Sequence, residues 1–281
     1  PQVAEYQGVL ELNGTSLLGA VVGVEVQGGG MASITNANFI NNACAVSFKS
    51  YRWGSEPNWG KVVNSTFTLN SSKVEGEKPV FISLNRVARV SIYGNTFQNT
   101  NPQAYSITHR GYGILALDSD LYFKKFSNTF SNLFTAIEAK ATVATPTFFV
   151  YNQSFNGCFN GVRVSAYPSP VISSCSFEVP FEVHDDGVPT AVSIVNINSF
   201  TVEGNVMEGS GLGYGIHVDS KEFTSGLIWA NSIEDFSAGV YAVGPEDYRN
   251  TIQVQCNQFN VNSLSDILVI NNGLSGVQGS Q

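Results

Sequence analysis

Five side chains with the chemistry of acid–base catalysis fall at one predicted position of successive repeats in the chain: Glu138, Arg163, Glu182, His217 and Tyr241. Glycoside hydrolysis requires two carboxyl groups about 5 to 10 Å apart, and Glu138 and Glu182 would lie two repeats apart. Elimination requires a base such as His217 or Tyr241, and a cation such as Arg163 that stabilises an enolate-like intermediate. The competing interpretation is a Glu–Arg–Glu ladder of ion pairs on a solvated sheet. We favour it because structural ion pairs far outnumber active sites.

Two long polar loops carry a second set of candidate residues, suited to binding a ligand. Loop 49–60 contains Tyr51, Arg52, Trp53 and Trp59, and loop 100–112 contains Tyr105, His109 and Tyr112. Aromatic rings in polar loops can stack on sugar rings while neighbouring Asn and Arg side chains donate hydrogen bonds. The alternative is that both indoles cap the edge of the core, and the sequence leaves the two interpretations open.

A repeat along the chain must position these residues. Its clearest copy is residues 94–99, Gly-Asn-Thr-Phe-Gln-Asn, in which the apolar Phe97 serves as the anchor on which the copies are aligned. Five positions before each anchor a β-branched residue recurs, except at Lys125, where we expect Phe123 or Phe126 to take over through a local bulge. Two positions before the anchor the commonest residue is Asn, which tolerates left-handed backbone angles and can bond backbone groups of the next coil. The apolar anchors are Phe39, Phe67, Phe97, Phe130, Phe155, Phe177, Met207, Ile233 and Phe259.

A second strand follows most anchors and often begins with Gly, as in residues 161–164, Gly-Val-Arg-Val. Alternation places Val162 and Val164 inside and Arg163 outside. Stacked copies about 4.8 Å apart would form parallel sheets, with Phe39 to Phe177 as an internal aromatic ladder. Segment 191–197 is interpreted as an extra strand. The outward residues are predicted to be Glu25, Ser47, Leu115, Glu138, Arg163, Glu182, His217, Tyr241 and Leu268.

The repeat resembles the coils of the pectin-lyase-like superfamily, whose fold is an all-β, right-handed, single-stranded parallel β-helix. The resemblance rests on the Asn-x-Phe and Gly-Ile-x-Val elements and covers residues 34–270. It implies one solenoid domain over residues 1–281 with about nine to ten coils, in which residues 1–30 form an irregular first coil or cap and residues 271–281 a tail. Residues 227–280, with their Cys256-Asn257-x-Phe259-Asn260 unit and Gly/Ser ending, are similar to β-helix regions of large secreted Bacteroidetes surface proteins.

The chain lacks the catalytic and calcium-binding motifs of the polysaccharide-cleaving enzymes in this superfamily. Polygalacturonase-type enzymes carry an Asp before one such Gly, an Asp-Asp pair, a Gly-His-Gly and an Arg-x-Lys. Here Ser165 stands where the Lys after Arg163 is expected, and the residues that precede the glycines are neither acidic nor His. Pectate-lyase-type calcium sites need carboxylates clustered on successive coils, whereas Asp185 and Asp186 are a single pair in a loop. We therefore expect no metal and no other cofactor, with Ca²⁺ as the only candidate.

Composition excludes some classes of partner. The formal net charge is −8 with 14 Lys plus Arg, and no basic cluster is present, so nucleic acid is not an expected partner. No apolar run is long enough to span a bilayer, so membrane insertion is not expected. The 4 cysteines form no CxxC pair, so a zinc site is not expected, and we favour free buried thiols over disulfides. A chain that begins at Pro1 is typical of a processed protein or an excised fragment.

Three functions remain open on this basis. The favoured one is a non-catalytic, adhesin-like module, secreted or on the cell surface, that binds a polysaccharide or cell-surface glycan. The second is a polysaccharide lyase or glycoside hydrolase that acts on the outer face of the Gly-Ile-x-Val sheet. The third is a structural stalk segment that contacts other segments of a larger surface protein.

Overall fold

The computed structural model describes residues 8–28, 31–50, 60–71, 78–88, 90–123, 126–143, 145–185, 187–220, 225–244 and 251–271. Within these ranges the regular structure consists of β-strands and two short 3-10 helices, Pro102–Ala104 and Ile107–His109. Among the described residues, no helix has the length and apolar character needed to cross a membrane.

Each coil of the chain contributes one strand to sheet A or its continuation sheet D, then one to sheet B and one to sheet C. Sheet A contains β1 (Val9–Asn13), β4 (Met31–Thr35), β7 (Lys61–Val63) and β10 (Ser91–Tyr93), and sheet D contains β13 (Leu121–Phe123), β16 (Phe148–Tyr151), β19 (Val171–Ser173), β22 (Ser199–Glu203), β25 (Ser225–Trp229) and β28 (Thr251–Gln255).

Sheets B and C each have ten strands and run the length of the stack. Sheet B contains β2 (Ser16–Leu18), β5 (Asn38–Ile40), β8 (Thr66–Leu69), β11 (Thr96–Asn99), β14 (Thr129–Ser131), β17 (Ser154–Asn156), β20 (Ser176–Glu178), β23 (Val206–Glu208), β26 (Ser232–Glu234) and β29 (Gln258–Asn260). Sheet C contains β3 (Val22–Gln27), β6 (Cys44–Lys49), β9 (Val80–Asn85), β12 (Tyr112–Leu117), β15 (Thr135–Lys140), β18 (Asn160–Ser165), β21 (Thr190–Val195), β24 (Tyr214–Asp219), β27 (Ala238–Gly244) and β30 (Ser265–Asn271). All-parallel pairing between coils makes the chain a parallel β-solenoid, as the repeat predicts.

The predicted anchors pair with one another along sheet B, and the aromatic ladder is confirmed. Phe39 pairs with Phe67, and the same register continues coil by coil to Phe259. From Phe39 to Phe177 the five successive ring pairs stack with centroids 4.8, 4.8, 4.7, 5.1 and 4.5 Å apart. The six rings are at most 1% exposed, so they fill the centre of the solenoid.

The first coil is more regular than the sequence predicts. Strands β1, β2 and β3 pair in register with β4, β5 and β6, and Leu17 stands beside Phe39 as one further anchor. Leu replaces the Asn-x-Phe signature there, so the repeat is weaker in sequence than in structure. In the fifth coil Phe123 occupies the column expected for Lys125, because it pairs with Val150. Lys125 itself lies outside the described residues, and Phe126 is 60% exposed.

Buried amides form a hydrogen-bonded ladder at the corner between sheets A or D and sheet B. Asn128 Oδ1 accepts hydrogen bonds from the backbone N–H and the side-chain amide of Asn95, at 3.1 and 3.0 Å. Asn128 in turn donates to the Gln153 oxygen at 2.8 Å and to the Ile92 carbonyl at 3.3 Å. The amides thus bond the backbone of the preceding coil, and not of the next coil as predicted.

The left-handed residue of this corner stands one position before the amide, so the prediction that the Asn column itself takes left-handed angles is wrong. Examples are Gly94 (φ 68°) before Asn95, Asn152 (φ 55°) before Gln153 and Gly204 (φ 62°) before Asn205. The division has a physical reason, because one residue must reverse the chain while the next turns its amide inward. An amide at the turning position stays on the surface instead, as exposed Asn36 does when it donates to the Asn13 side chain of the preceding coil at 3.1 Å.

All four cysteines are free thiols, as predicted. Cys158 and Cys175 are buried in the core, whereas Cys44 is partly buried and Cys256 is exposed. Only two of the four therefore fill the core. Burial raises the pKa of Cys158 and of Cys175 to about 12, and that of Cys44 to about 11.

Candidate functional site

The outward residues of sheet C form one continuous row. In register, Glu138 pairs with Arg163, Arg163 with Ser193, Ser193 with His217, and His217 with Tyr241. Successive members are therefore about 4.8 Å apart, the spacing of neighbouring strands. The structure thus brings together four of the five predicted residues, and we call Glu138, Arg163, Ser193, His217 and Tyr241 the sheet C row.

Glu182 is not part of this row, which corrects the sequence prediction. Its place belongs to Ser193 in β21, which is the regular sheet C strand of its coil and not an additional one. Residues 181–183 alternate like a strand, but they follow Pro180, which has no N–H to donate to a ladder. Phe181 is 68% and Val183 73% exposed. The paired carboxylates that hydrolysis would use, Glu138 and Glu182, therefore do not share the sheet.

The alternative interpretation of this face, a Glu–Arg–Glu ladder of ion pairs, is also wrong. Within the described ranges the ion pairs are Glu25 with Lys49 at 2.9 Å and Arg110 with Glu182 at 2.5 Å. In that part of the chain Glu138 and Arg163 make no ion pair, although their strands are adjacent. The Arg163 guanidinium is exposed and can donate hydrogen bonds to a ligand.

Aromatic rings cluster at one end of the row. Tyr214 and Tyr241 stack with centroids 4.4 Å apart and an interplanar angle of 9°. The His217 ring lies 5.3 Å from Tyr241 and 5.6 Å from Tyr214. Tyr214, the first residue of β24, was not predicted as a site residue. The available signal was its place before Gly215, which Tyr112 shares before Gly113.

The environment of the cluster shifts the pKa values of His217 and Tyr214. Burial lowers the pKa of His217, the Arg163 cation lowers it further, and the Asp219 carboxylate opposes both. His217 is consequently neutral at pH 7, with one nitrogen able to donate and one able to accept a hydrogen bond. Burial also raises the pKa of Tyr214, with a further contribution from Tyr241. The cluster therefore presents a neutral imidazole and aromatic rings two strands along the row from the Arg163 cation.

The loop 100–112 residues take different places. The Tyr105 hydroxyl donates to the Ser71 carbonyl, and burial raises the pKa of Tyr105, so this side chain fastens the loop to the previous coil. His109 is exposed, with Nδ1 at 2.7 Å from the Ser106 hydroxyl. Tyr112 begins β12 and meets Phe134 edge-on at 5.7 Å. Tyr112 thus shares with Tyr214 the first position of a sheet C strand, four strands away.

The other predicted binding residues, Tyr51, Arg52, Trp53 and Trp59, lie outside the described residues. Their role in binding stays a prediction. Among the residues that the structure describes, no group of three or more His, Cys, Asp or Glu side chains is arranged to hold a metal ion. Of the paired loop carboxylates, Asp185 is described and Asp186 is not.

Comparison of the chain with known proteins identifies no relative. No family model, no curated protein and no solved structure matches the chain.

Proposed function

We propose that the chain is a non-catalytic module that binds a glycan on the outer face of sheet C. The observation that carries the proposal is the Tyr214–His217–Tyr241 cluster, in which two phenol rings stack at 4.4 Å on an outward sheet face. Ser193 and Arg163 continue the same row. Rings with polar edges beside unpaired donors are the usual means of holding a ligand that has both apolar and hydroxylated faces.

The shape of the face favours an extended ligand. A solenoid exposes a long strip on which equivalent side chains repeat about every 4.8 Å, so a chain of sugar units can contact several coils in succession. Arg163 can form charge-assisted hydrogen bonds with an acidic or sulfated sugar. Trp53 and Trp59 are proposed as further contacts from their loop.

We also propose that the solenoid is of the pectin-lyase-like, right-handed type, and that it belongs to a secreted or cell-surface protein similar to those of Bacteroidetes. Support for this comes from the Asn-x-Phe and Gly-Ile-x-Val elements of the sequence. An adhesin-like role agrees with a binding face that lacks the polygalacturonase motifs.

A glycan array followed by calorimetry tests the proposal. We expect the wild-type chain to select at least one glycan, and Tyr241→Ala to weaken that binding at least about tenfold, a typical loss for a central aromatic contact. Trp229→Ala is the matched control, because Trp229 is an exposed aromatic residue on sheet D. Equal affinities of the two variants would refute a site on sheet C. If no glycan binds even to the wild type, the structural stalk becomes the better account.

One observation favours a second function, a polysaccharide lyase. His217 is neutral at pH 7, as a general base must be, and Arg163 is two strands away, roughly 10 Å along the sheet. Incubation with polygalacturonate and alginate tests this candidate by the release of unsaturated ends. If the wild-type chain releases unsaturated ends and both His217→Gln and Arg163→Ala abolish this release, the lyase replaces the binding proposal.

A further inference from the structure

A second set of exposed aromatic rings lies on the other side of the solenoid, on sheets A and D. Tyr93, Phe126 and Tyr151 each stand four positions before the anchor of three successive coils. Tyr93 and Phe126 are in contact, with centroids 5.4 Å apart. Tyr122 and Phe149 continue the surface, with Phe149 at 5.3 Å from Tyr122 and 6.3 Å from Tyr151.

These rings are unusually exposed for aromatic side chains of a solenoid. Phe126 is 60%, Tyr122 51% and Tyr151 39% exposed. Their inward neighbours, Phe123 and Val150, already fill the core at 2% and 0% exposure. The core is therefore filled without Phe126 and Tyr151, and exposed apolar side chains grouped on one face are a common mark of a binding surface.

A cleft of about 310 Å³ opens at the corner between sheets D and B, lined by residues adjacent in sequence to two of the rings. Phe126 and Tyr151 are followed in sequence by Ser127 and Asn152, which line it together with Ser174. Its floor includes Gln153 and Cys175, where Cys interrupts the ladder of buried amides. Its volume is at the lower end of the range for small-molecule sites, and it is open to solvent.

The cleft presents uncharged hydrogen-bonding groups. In the described part of the chain its lining side chains carry no charge. The hydroxyls of Ser127 and Ser174 and the side-chain amide of Asn152 have no hydrogen-bond partner among the residues that the structure describes. Open donors and acceptors next to exposed rings suit a ligand with hydroxyl groups on its edge and C–H groups on its face.

We infer that this corner site, comprising Tyr93, Phe126, Tyr151 and the cleft at Ser127, Asn152 and Ser174, binds a neutral pyranose oligosaccharide. The rings would stack on successive sugar units, and the cleft would bond the hydroxyls of one terminal or branching unit. A strand spacing of about 4.8 Å is close to the length of one pyranose unit, so rings on adjacent coils can contact adjacent sugars. The site is separate from the sheet C row and does not depend on it.

The area of the patch favours a sugar over a second protein chain. Five aromatic side chains of about 150–250 Å² each, three of them 39–60% exposed and Tyr93 and Phe149 partly buried, offer roughly 400 Å². A stable protein interface buries about 800 Å² on each partner. The patch is therefore too small for a stable dimer but sufficient for a few sugar units.

Calorimetry with cellohexaose, xylohexaose and mannohexaose tests the corner site. We expect at least one of them to bind the wild-type chain, and Phe126→Ala and Tyr151→Ala to weaken it at least about tenfold. Asn152→Gly should weaken binding several-fold, because it removes the amide while Gly keeps the left-handed angle of φ 55°. Trp229→Ala is the control, since Trp229 has the same place relative to its anchor and is 44% exposed, three coils further on.

Several results would overturn the inference. One is that none of the three hexasaccharides binds; another is that Phe126→Ala and Tyr151→Ala bind as well as Trp229→Ala does. The double variant Arg163→Ala, Tyr241→Ala distinguishes the corner site from the sheet C row. If this variant abolishes hexasaccharide binding, the hexasaccharide binds on sheet C and not at the corner. Light scattering tests the remaining alternative, self-association. If the wild-type chain is a dimer and Phe126→Ala is a monomer, the patch is a dimer interface and not a sugar-binding site.

Discussion

Arg110 and Glu182 join the loops that lead into β12 and β21, three strands apart in sheet C, through an ion pair of 2.5 Å between guanidinium Nη1 and carboxylate Oε2. The Arg110 side chain is 7% exposed and also donates from Nε to the Pro102 carbonyl at 3.2 Å. Both loops lie at the corner between sheets B and C. The pair therefore fixes the border of the sheet C face and is not part of the site itself.

Removing the carboxylate should destabilise the fold. Glu182→Gln leaves the buried Arg110 cation without its counter-charge, and we expect a loss of about 1–3 kcal/mol in the free energy of unfolding. Urea denaturation followed by circular dichroism measures it. Lys49→Ala is the control, because it breaks the exposed Glu25–Lys49 pair and should leave the midpoint unchanged. Equal midpoints for the two variants would show that the Arg110–Glu182 pair is not structural.

The amide ladder should be most sensitive in the middle of the stack. Asn128 is 0% exposed, and Asn128→Ala leaves the Asn95 backbone N–H without an acceptor, so we expect a loss of roughly 2–3 kcal/mol. Asn257→Ala is the matched control at the last described coil, where Asn257 is half-buried and water can replace its bonds. Thermal melts compare the two variants. A loss at Asn257 as large as at Asn128 would contradict burial as the cause.

The His217 pKa should respond to its two charged neighbours with opposite sign. An NMR titration should place it below the ordinary 6.5, since burial disfavours the imidazolium. Arg163→Ala should raise the pKa and Asp219→Asn should lower it further. Because the unfolded chain binds this proton more readily, the contribution of His217 to stability is present above pH 6.5 and is lost as the pH falls below that value. A rise in both variants would contradict the arrangement of the row.

The four thiols should differ sharply in reactivity. In the native protein, iodoacetamide at pH 8 should modify exposed Cys256 first, while Cys158 and Cys175 stay unmodified. Peptide mass mapping identifies the labelled sites, and Cys256→Ser should remove the rapid phase. Because the folded thiols hold their protons up to about pH 12 and unfolded thiols release them near 9, stability should fall from about pH 9 upward. Rapid labelling of Cys158 would contradict its burial.

Repetition explains how much of the fold could be predicted. Anchors such as Phe97 recur with their neighbours in every coil, so one copy supports the next, and the register of sheet B follows directly. The same logic placed Arg163, His217 and Tyr241 outward on sheet C. It failed at Glu182, because the Phe-Glu-Val segment after Pro180 imitates the alternation of a strand while the true strand starts at Thr190.

Loop contacts and outward rings could not be predicted in this way. Nothing in the spacing of Arg110 and Glu182 indicates that their loops meet. Tyr214 and Phe126 occupy outward positions that change from coil to coil, so no column of similar residues draws attention to them. Their grouping depends on which coils are neighbours and how the side chains pack, and only the three-dimensional structure gives both.

Ring resonances of the sheet C cluster test the proposed function most directly. Titrating the array-selected glycan into the protein should shift the His217 and Tyr241 ring signals in an aromatic ¹H–¹³C NMR spectrum. The shifts should saturate with the dissociation constant that calorimetry gives, while the Trp229 indole signals stay in place. Binding by calorimetry that leaves the His217 and Tyr241 signals unmoved would contradict a glycan site on the outer face of sheet C.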